Sequence, residues 1–173
     1  DHAALAPVVD GLLRRKLQHA EELQILSGDG TAPNLEGILP LATAFSAPFE
    51  ITTPTMLDVL LQAIAQHEGI DGNVSTFIAM NPTDFREMES LKDTTGRYLI
   101  GSPFESDDFE RLWSLPVVPT QAMQAGQFLI GDEAAAVVYD RQDAAVEAST
   151  EDGDNFTTNR VTLRAEERLA LAI

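Results

Sequence analysis

Apolar residues Leu5, Val9, Leu12, Leu13, Leu17, Ala20 and Leu23 recur at steps of three and four, and this spacing predicts an amphipathic helix from Pro7 to Leu26. Ser27-Gly28-Asp29-Gly30 then supplies a glycine for a left-handed cap and a turn. A helix of about twenty residues is a rod roughly 30 Å long. A loop through Pro33 and Gly37 leads to Ile38-Leu39, and the stretch Ala42 to Thr53 has no period, so it reads as irregular chain or short strand. Thr53-Pro54 is expected to open a second helix, with Thr53 as cap and Pro54 at the first helical position. Met56, Leu57, Leu60, Leu61 and Ile64 would be its buried stripe, ending before Gly69.

Val74 to Met80 reads as a buried strand, and Asn81-Pro82 caps and starts a helix whose inward face is Phe85, Met88 and Leu91. Lys92 to Arg97 is a turn, Tyr98 to Ile100 a short strand, and Ser102 to Asp108 an acidic loop. Pro116-Val117-Val118 and Phe128-Leu129-Ile130 are further buried strands, so this middle region is expected to be a mixed α/β lobe. The last third changes character. Ala135 to Ser149 and Asn159 to Ile173 are long extended segments joined at Glu151-Asp152-Gly153-Asp154-Asn155, which predicts a long hairpin and an α+β chain overall. In its second arm Val161, Leu163, Ala165, Leu169, Leu171 and Ile173 alternate with Thr162, Arg164, Glu166 and Arg168, and Glu167 breaks the pattern. Helix propensity competes for Arg164 to Leu171.

Composition narrows what such a chain does. Apolar residues are 44% and charged residues 23% of the 173, values of a folded protein. The formal charge is −17, and Lys16 and Lys92 are the lysines. A surface this negative repels phosphates, so neither sequence-specific nucleic-acid binding nor a membrane partner is expected. No stretch is long enough to span a bilayer, and Asp1-His2-Ala3-Ala4 lacks the features of a secretory signal. With no cysteine there is neither disulfide nor thiolate chemistry. His2, His19 and His67 are scattered, with no zinc-type pair, so neither a metal nor a cofactor is expected. Gly28-Asp29-Gly30-Thr31 follows a helix instead of opening one, and no Walker lysine comes after it. The acidic cluster at 151–155 lacks the closing glutamate of an EF-hand, and no nucleophile elbow occurs. The residues therefore favour a structural protein over an enzyme.

Several stretches together resemble the major capsid proteins of tailed phages, the family whose fold is named after the Hong Kong ninety-seven phage. They are Leu26 to Thr31 with Gly37-Ile38-Leu39, Met80 to Phe85, Lys92 to Leu99, Leu112 to Val118, Gly131-Asp132 and, most closely, Phe156 to Ala170. The resemblance implies a peripheral lobe of spine helix (1–30) and long hairpin (140–173), with an axial mixed α/β lobe (31–139) between them. It implies a subunit that self-assembles through pentamers and hexamers into the icosahedral head shell of a phage or prophage. That shell would enclose DNA as the virion capsid and be assembled in the bacterial host cytoplasm, with scaffold, portal or decoration proteins as further partners. The family's amino-terminal arm and extended loop lie upstream of such a helix, and Ile173 ends where the last strand would continue, so a trimmed core is expected.

Within that resemblance, Arg164, Glu166 and Arg168, with Arg160 nearby, are the candidates for salt bridges between subunits; the alternative is a solvated strand face. Some members join subunits by an isopeptide bond between a lysine and an asparagine, assisted by a glutamate, and Asn159 and Glu166 match the last two positions. Seven residues of strand would hold these roughly 23 Å apart, so they would act from different copies. Two rivals remain: an encapsulin-like shell of a cellular nanocompartment, and a small acidic α/β enzyme. The enzyme would show a deep pocket with convergent polar groups.

Overall fold

The computed structural model describes residues 2–99 and 111–173. The expected acidic loop Ser102–Asp108, and Ile100 of the expected strand at Tyr98, lie outside the described residues. The chain divides into two compact units, Asp1–Pro40 with Val137–Ile173, and Leu41–Ala136.

The first unit is built on α1 (His2–Ser27), which contains Pro7 and begins earlier than the periodicity predicts. Its end is closed by the Ser27 hydroxyl donating to the Leu23 carbonyl at 2.9 Å and by Gly28 N donating to Gln24 O at 3.0 Å. The chain then doubles back, with Gly30 N on Leu35 O at 2.8 Å and Gly37 N on Gly28 O at 2.9 Å. The left-handed residue of this turn is Gly30 (φ 69°), not Gly28. Gly28 is required for a different reason: a Cβ there would overlap the Leu35 and Gln24 carbonyl oxygens, and a Cβ on Gly37 would overlap the Gly28 and Ser27 nitrogens. Asp29 ties the loop from inside. Its Oδ1 accepts from Asn34 Nδ2 and Thr31 N, and those two bonds, Asn34's first, hold its carboxyl below the ordinary value. A short helix, α2 (Ile38–Leu41), follows.

The hairpin pairs β5 (Val137–Ser149) with β6 (Thr162–Ala172), from Val137↔Ala172 at its base to Ser149↔Thr162 at its far end. The strand alternative therefore prevails over helix for Arg164 to Leu171, because ladder pairing overrides local propensity. Two corrections apply at the tip. The expected turn at 151–155 is part of a longer connection containing a one-turn helix, α5 (Asn155–Thr158), and Asn159 lies before β6 as the left-handed cap (φ 55°) of that turn. Asn155 is buried there and donates to the Thr162 hydroxyl at 2.8 Å, bracing the turn against the second strand. The pairing register shifts between Asp140 and Gln142 and again between Gln142 and Ala145. Such bulges leave ladder groups unpaired; here Arg14 of α1 donates to the Ala144 carbonyl at 3.0 Å.

The second unit holds a four-stranded sheet in the order β2-β3-β1-β4: β1 (Phe77–Met80) lies parallel to β3 (Leu115–Pro119) and antiparallel to β4 (Phe128–Gly131). The edge strand β2 (Arg111–Leu112) was not foreseen, since two residues are too short to show a period. Helix α3 (Met56–Glu68) is capped by Thr55, not Thr53: Asp58 N donates to the Thr55 hydroxyl and Thr55 N to the Asp58 carboxylate, a reciprocal box for which Thr53 lacks the partner three residues on. Thr53 itself has φ 54°. Helix α4 (Pro82–Glu89) starts as expected from Asn81, whose side chain accepts from Thr83 N. Leu60, Ile64, Ile78, Met80, Phe85, Met88, Leu112 and Val117 form the core, with Leu57, Leu91, Phe128 and Ile130 against it. Leu61, expected in the buried stripe, is exposed, and Gln62 is buried instead. Gln62 donates to the Phe49 carbonyl, while Gln66 accepts from Ser46 N at 2.7 Å and donates to Ala44 O at 3.0 Å. These bonds satisfy the backbone at Ala44, Ser46 and Phe49 in a segment, 42–53, that joins no strand ladder.

Candidate subunit interface

The pleat of β6 sends Arg164, Glu166 and Arg168 to one face, and that face is an ion-pair chain within the subunit. Arg164 stands opposite Glu147 of β5 and bonds it at 2.8 Å; its other nitrogen lies 3.3 Å from Glu166, and Arg168 lies 3.8 Å from Glu166. The bond to Glu147, then the field of Glu166, strengthens the hold of the Arg164 guanidinium on its proton. Both arginines are about 60% exposed (61% and 62%), so water screens these pairs and they add little to the fold. Arg160 is exposed at the tip, where its backbone N donates to Asn155 O at 2.9 Å. Thus Arg164, Glu166 and Arg168 come together as expected from the sequence, whereas Arg160 and Asn159 belong to the turn. The roughly 23 Å estimate assumed strand between Asn159 and Glu166 and does not apply. Glu147 was missed because its pairing with Arg164 depends on two bulges that composition does not reveal.

On the opposite face, Ala165, Leu169 and Leu171 are half-buried, while Val161 and Leu163, also expected inside, are exposed. Glu167 shares the half-buried face, and desolvation first, then Glu21 of α1 and Asp140 and Asp143 of β5, raises its pKa. A carboxyl with a raised folded-state pKa favours the fold below its unfolded pKa and loses that contribution as pH rises through the folded value. Glu167→Gln should therefore stabilise the protein at neutral pH, by up to about 1 kcal/mol. The gain should vanish below the ordinary carboxylate range; thermal melts of both proteins at two pH values check it, and a gain that grows on acidification would contradict this account.

The family model described as the phage capsid family matches residues 1–173. The chain belongs to the phage capsid family. It is 42% identical over 172 residues to the major capsid protein of Enterobacteria phage HK97, a match covering 96% of this chain and 44% of that protein. Two solved structures, the capsids of the empty and the native GTA particle computed with C5 symmetry, superpose with a TM-score of 0.71 at 17% and 16% identity, over 96% of this chain and 61% of theirs. At such identities the likeness shows the fold. It is the Hong Kong ninety-seven-like capsid fold, α+β as the sequence predicts. The chain spans less than half the length of its curated relative.

In this phage capsid chain the middle unit contains a cavity of about 330 Å³ lined by Met56, Val59, Leu60, Met80, Met88 and Phe128. Its carboxylate, Asp84, accepts from Gly126 N at 2.6 Å, so that group serves the wall of the cavity. The lining is mostly apolar, with Thr55, Asp84 and Gln127 as its polar side chains. Among the described residues no grouping of histidine, aspartate and glutamate could hold a metal ion, and no helix is long and apolar enough to cross a membrane.

Proposed function

We propose that this chain is a subunit of a major capsid protein, which associates with copies of itself into pentamers and hexamers of an icosahedral head shell enclosing DNA. The supporting observation is the 42% identity, across nearly the whole chain, to a protein that bears that name. Because the related proteins are capsid proteins, a genome-holding shell is favoured over a nanocompartment. In this reading the peripheral lobe, expected at 1–30 and 140–173, corresponds to the unit 1–40 with 137–173, and the axial lobe, expected at 31–139, to the unit 41–136. The chain resides in the virion capsid after assembly in the host cytoplasm, where scaffold, portal or decoration proteins are its further partners.

Arg160, Arg164, Glu166 and Arg168 are the contacts we assign to the peripheral interface. Their pairs gain strength when a neighbouring copy excludes water, because the effective dielectric falls. The finer reading adds a covalent step. Glu166 takes a proton from a lysine ammonium, the freed amine attacks the side-chain carbonyl of Asn159 in another copy, and the amine's next proton passes to the departing NH2, which leaves as ammonia as the amide forms.

Electron microscopy of purified protein at rising concentration tests the proposal. Rings or closed particles are expected, and monomers at every concentration would overturn it. A denaturing gel of the same material reads the covalent step: a ladder of multimers supports it, and a single monomer band removes it.

A further inference from the structure

We infer that the segment from Leu41 to Thr55 is a surface that packs against a second copy of this chain through side chains. Self-association is the proposal above, and this inference rests on it. Between Gly37 and Leu57 the only charged residue is Glu50, in a chain that is 23% charged. The same stretch leaves Leu41, Phe45 and Phe49 exposed at 52%, 42% and 45%.

The occupant follows from charge. At −17, two copies repel across most of their surfaces, so a self-contact falls where like charge is sparse. An anionic membrane would need basic residues, and the segment has none. A basic partner would be drawn to the acidic surfaces elsewhere. The segment is also held ready. Gln62 and Gln66 fix the backbone at Ala44, Ser46 and Phe49, and Phe45 meets Phe128 edge-on at 5.9 Å between centroids. The backbone is thus tied down while the rings remain accessible, which lowers the ordering cost of association. Pro48 and Pro54 lack N–H donors, so packing of side chains, not strand addition, is the mode.

The test compares sedimentation of the wild-type chain, Leu41→Asp/Phe49→Asp and a control pair, Ile70→Asp/Val74→Asp, whose residues are also exposed (50% and 58%). The expected result is association of wild type and control, with at least a tenfold weakening in the first pair. Equal behaviour of the two pairs, whether both associate or both fail, overturns the inference and leaves the shell proposal standing. Wild type that stays monomeric throughout defeats the shell proposal and the inference together. Amide exchange on wild type alone decides the matter if the first pair misfolds: protection of 41–55 that rises with concentration supports the surface, and unchanged exchange rejects it.

Discussion

Phe85→Ala is expected to cost the unit of residues 41–136 about 3–5 kcal/mol, the range for deleting a fully buried ring. Phe85 is 1% exposed on α4, in one core with Ile78 and Met80 of β1 and Leu60 and Ile64 of α3. The space left by the ring has little to collapse into it, because Ile78 and Met88 are themselves fully enclosed. Leu61→Ala on α3 is the comparison. Its side chain is 37% exposed, so its removal should cost well under about 1 kcal/mol although the sequence gives it the same standing as Leu60. Urea unfolding followed by circular dichroism measures both, and equal losses would show that the core is not centred on α4.

Gly37→Ala should destabilise the other unit by about 3 kcal/mol, the upper end of what forced backbone shifts cost. The added methyl group would meet the Gly28 and Ser27 nitrogens and the Leu26 carbonyl carbon, all backbone atoms that cannot turn aside as a flexible side chain would. The bond from Gly37 N to Gly28 O would open with it. Gly11→Ala gives the opposite sign. It lies within α1 with nothing within 4 Å of the new methyl, so helix propensity alone should stabilise by about 0.5–1 kcal/mol. Thermal melts of the two variants read the contrast, and a neutral Gly37→Ala would mean that the loop does not close against the helix end.

Much of the fold was legible because its elements carry local signals. Helix α1 shows its period, α4 carries Asn81-Pro82 at its start, and the apolar strands β1, β3 and β4 stand out against polar turns. Misplacements occurred where two local signals compete. Thr53-Pro54 has the look of a helix start, but Thr55 alone has a carboxylate three residues on to complete the box. The buried place of Gln62 was invisible because it depends on the Phe49 carbonyl arriving from an irregular segment. At the candidate interface the row Arg164, Glu166, Arg168 followed from alternation, whereas its partner Glu147 and the turn position of Asn159 required the true register and the helix α5, which is one turn long and has no period to detect.

The two register shifts in β5 have a parity consequence. Each extra residue exchanges the sides of every side chain beyond it, and the second restores what the first reversed. Tyr139 and Glu147 therefore point the same way across the ribbon, as their opposite numbers Ala170 and Arg164 do. One interruption by itself would have turned Glu147 away from Arg164. Length changes within this strand are thus tolerable in twos and disruptive singly, so sister proteins that differ by an odd number of residues between Asp140 and Ala145 must have rebuilt the face that carries the arginines.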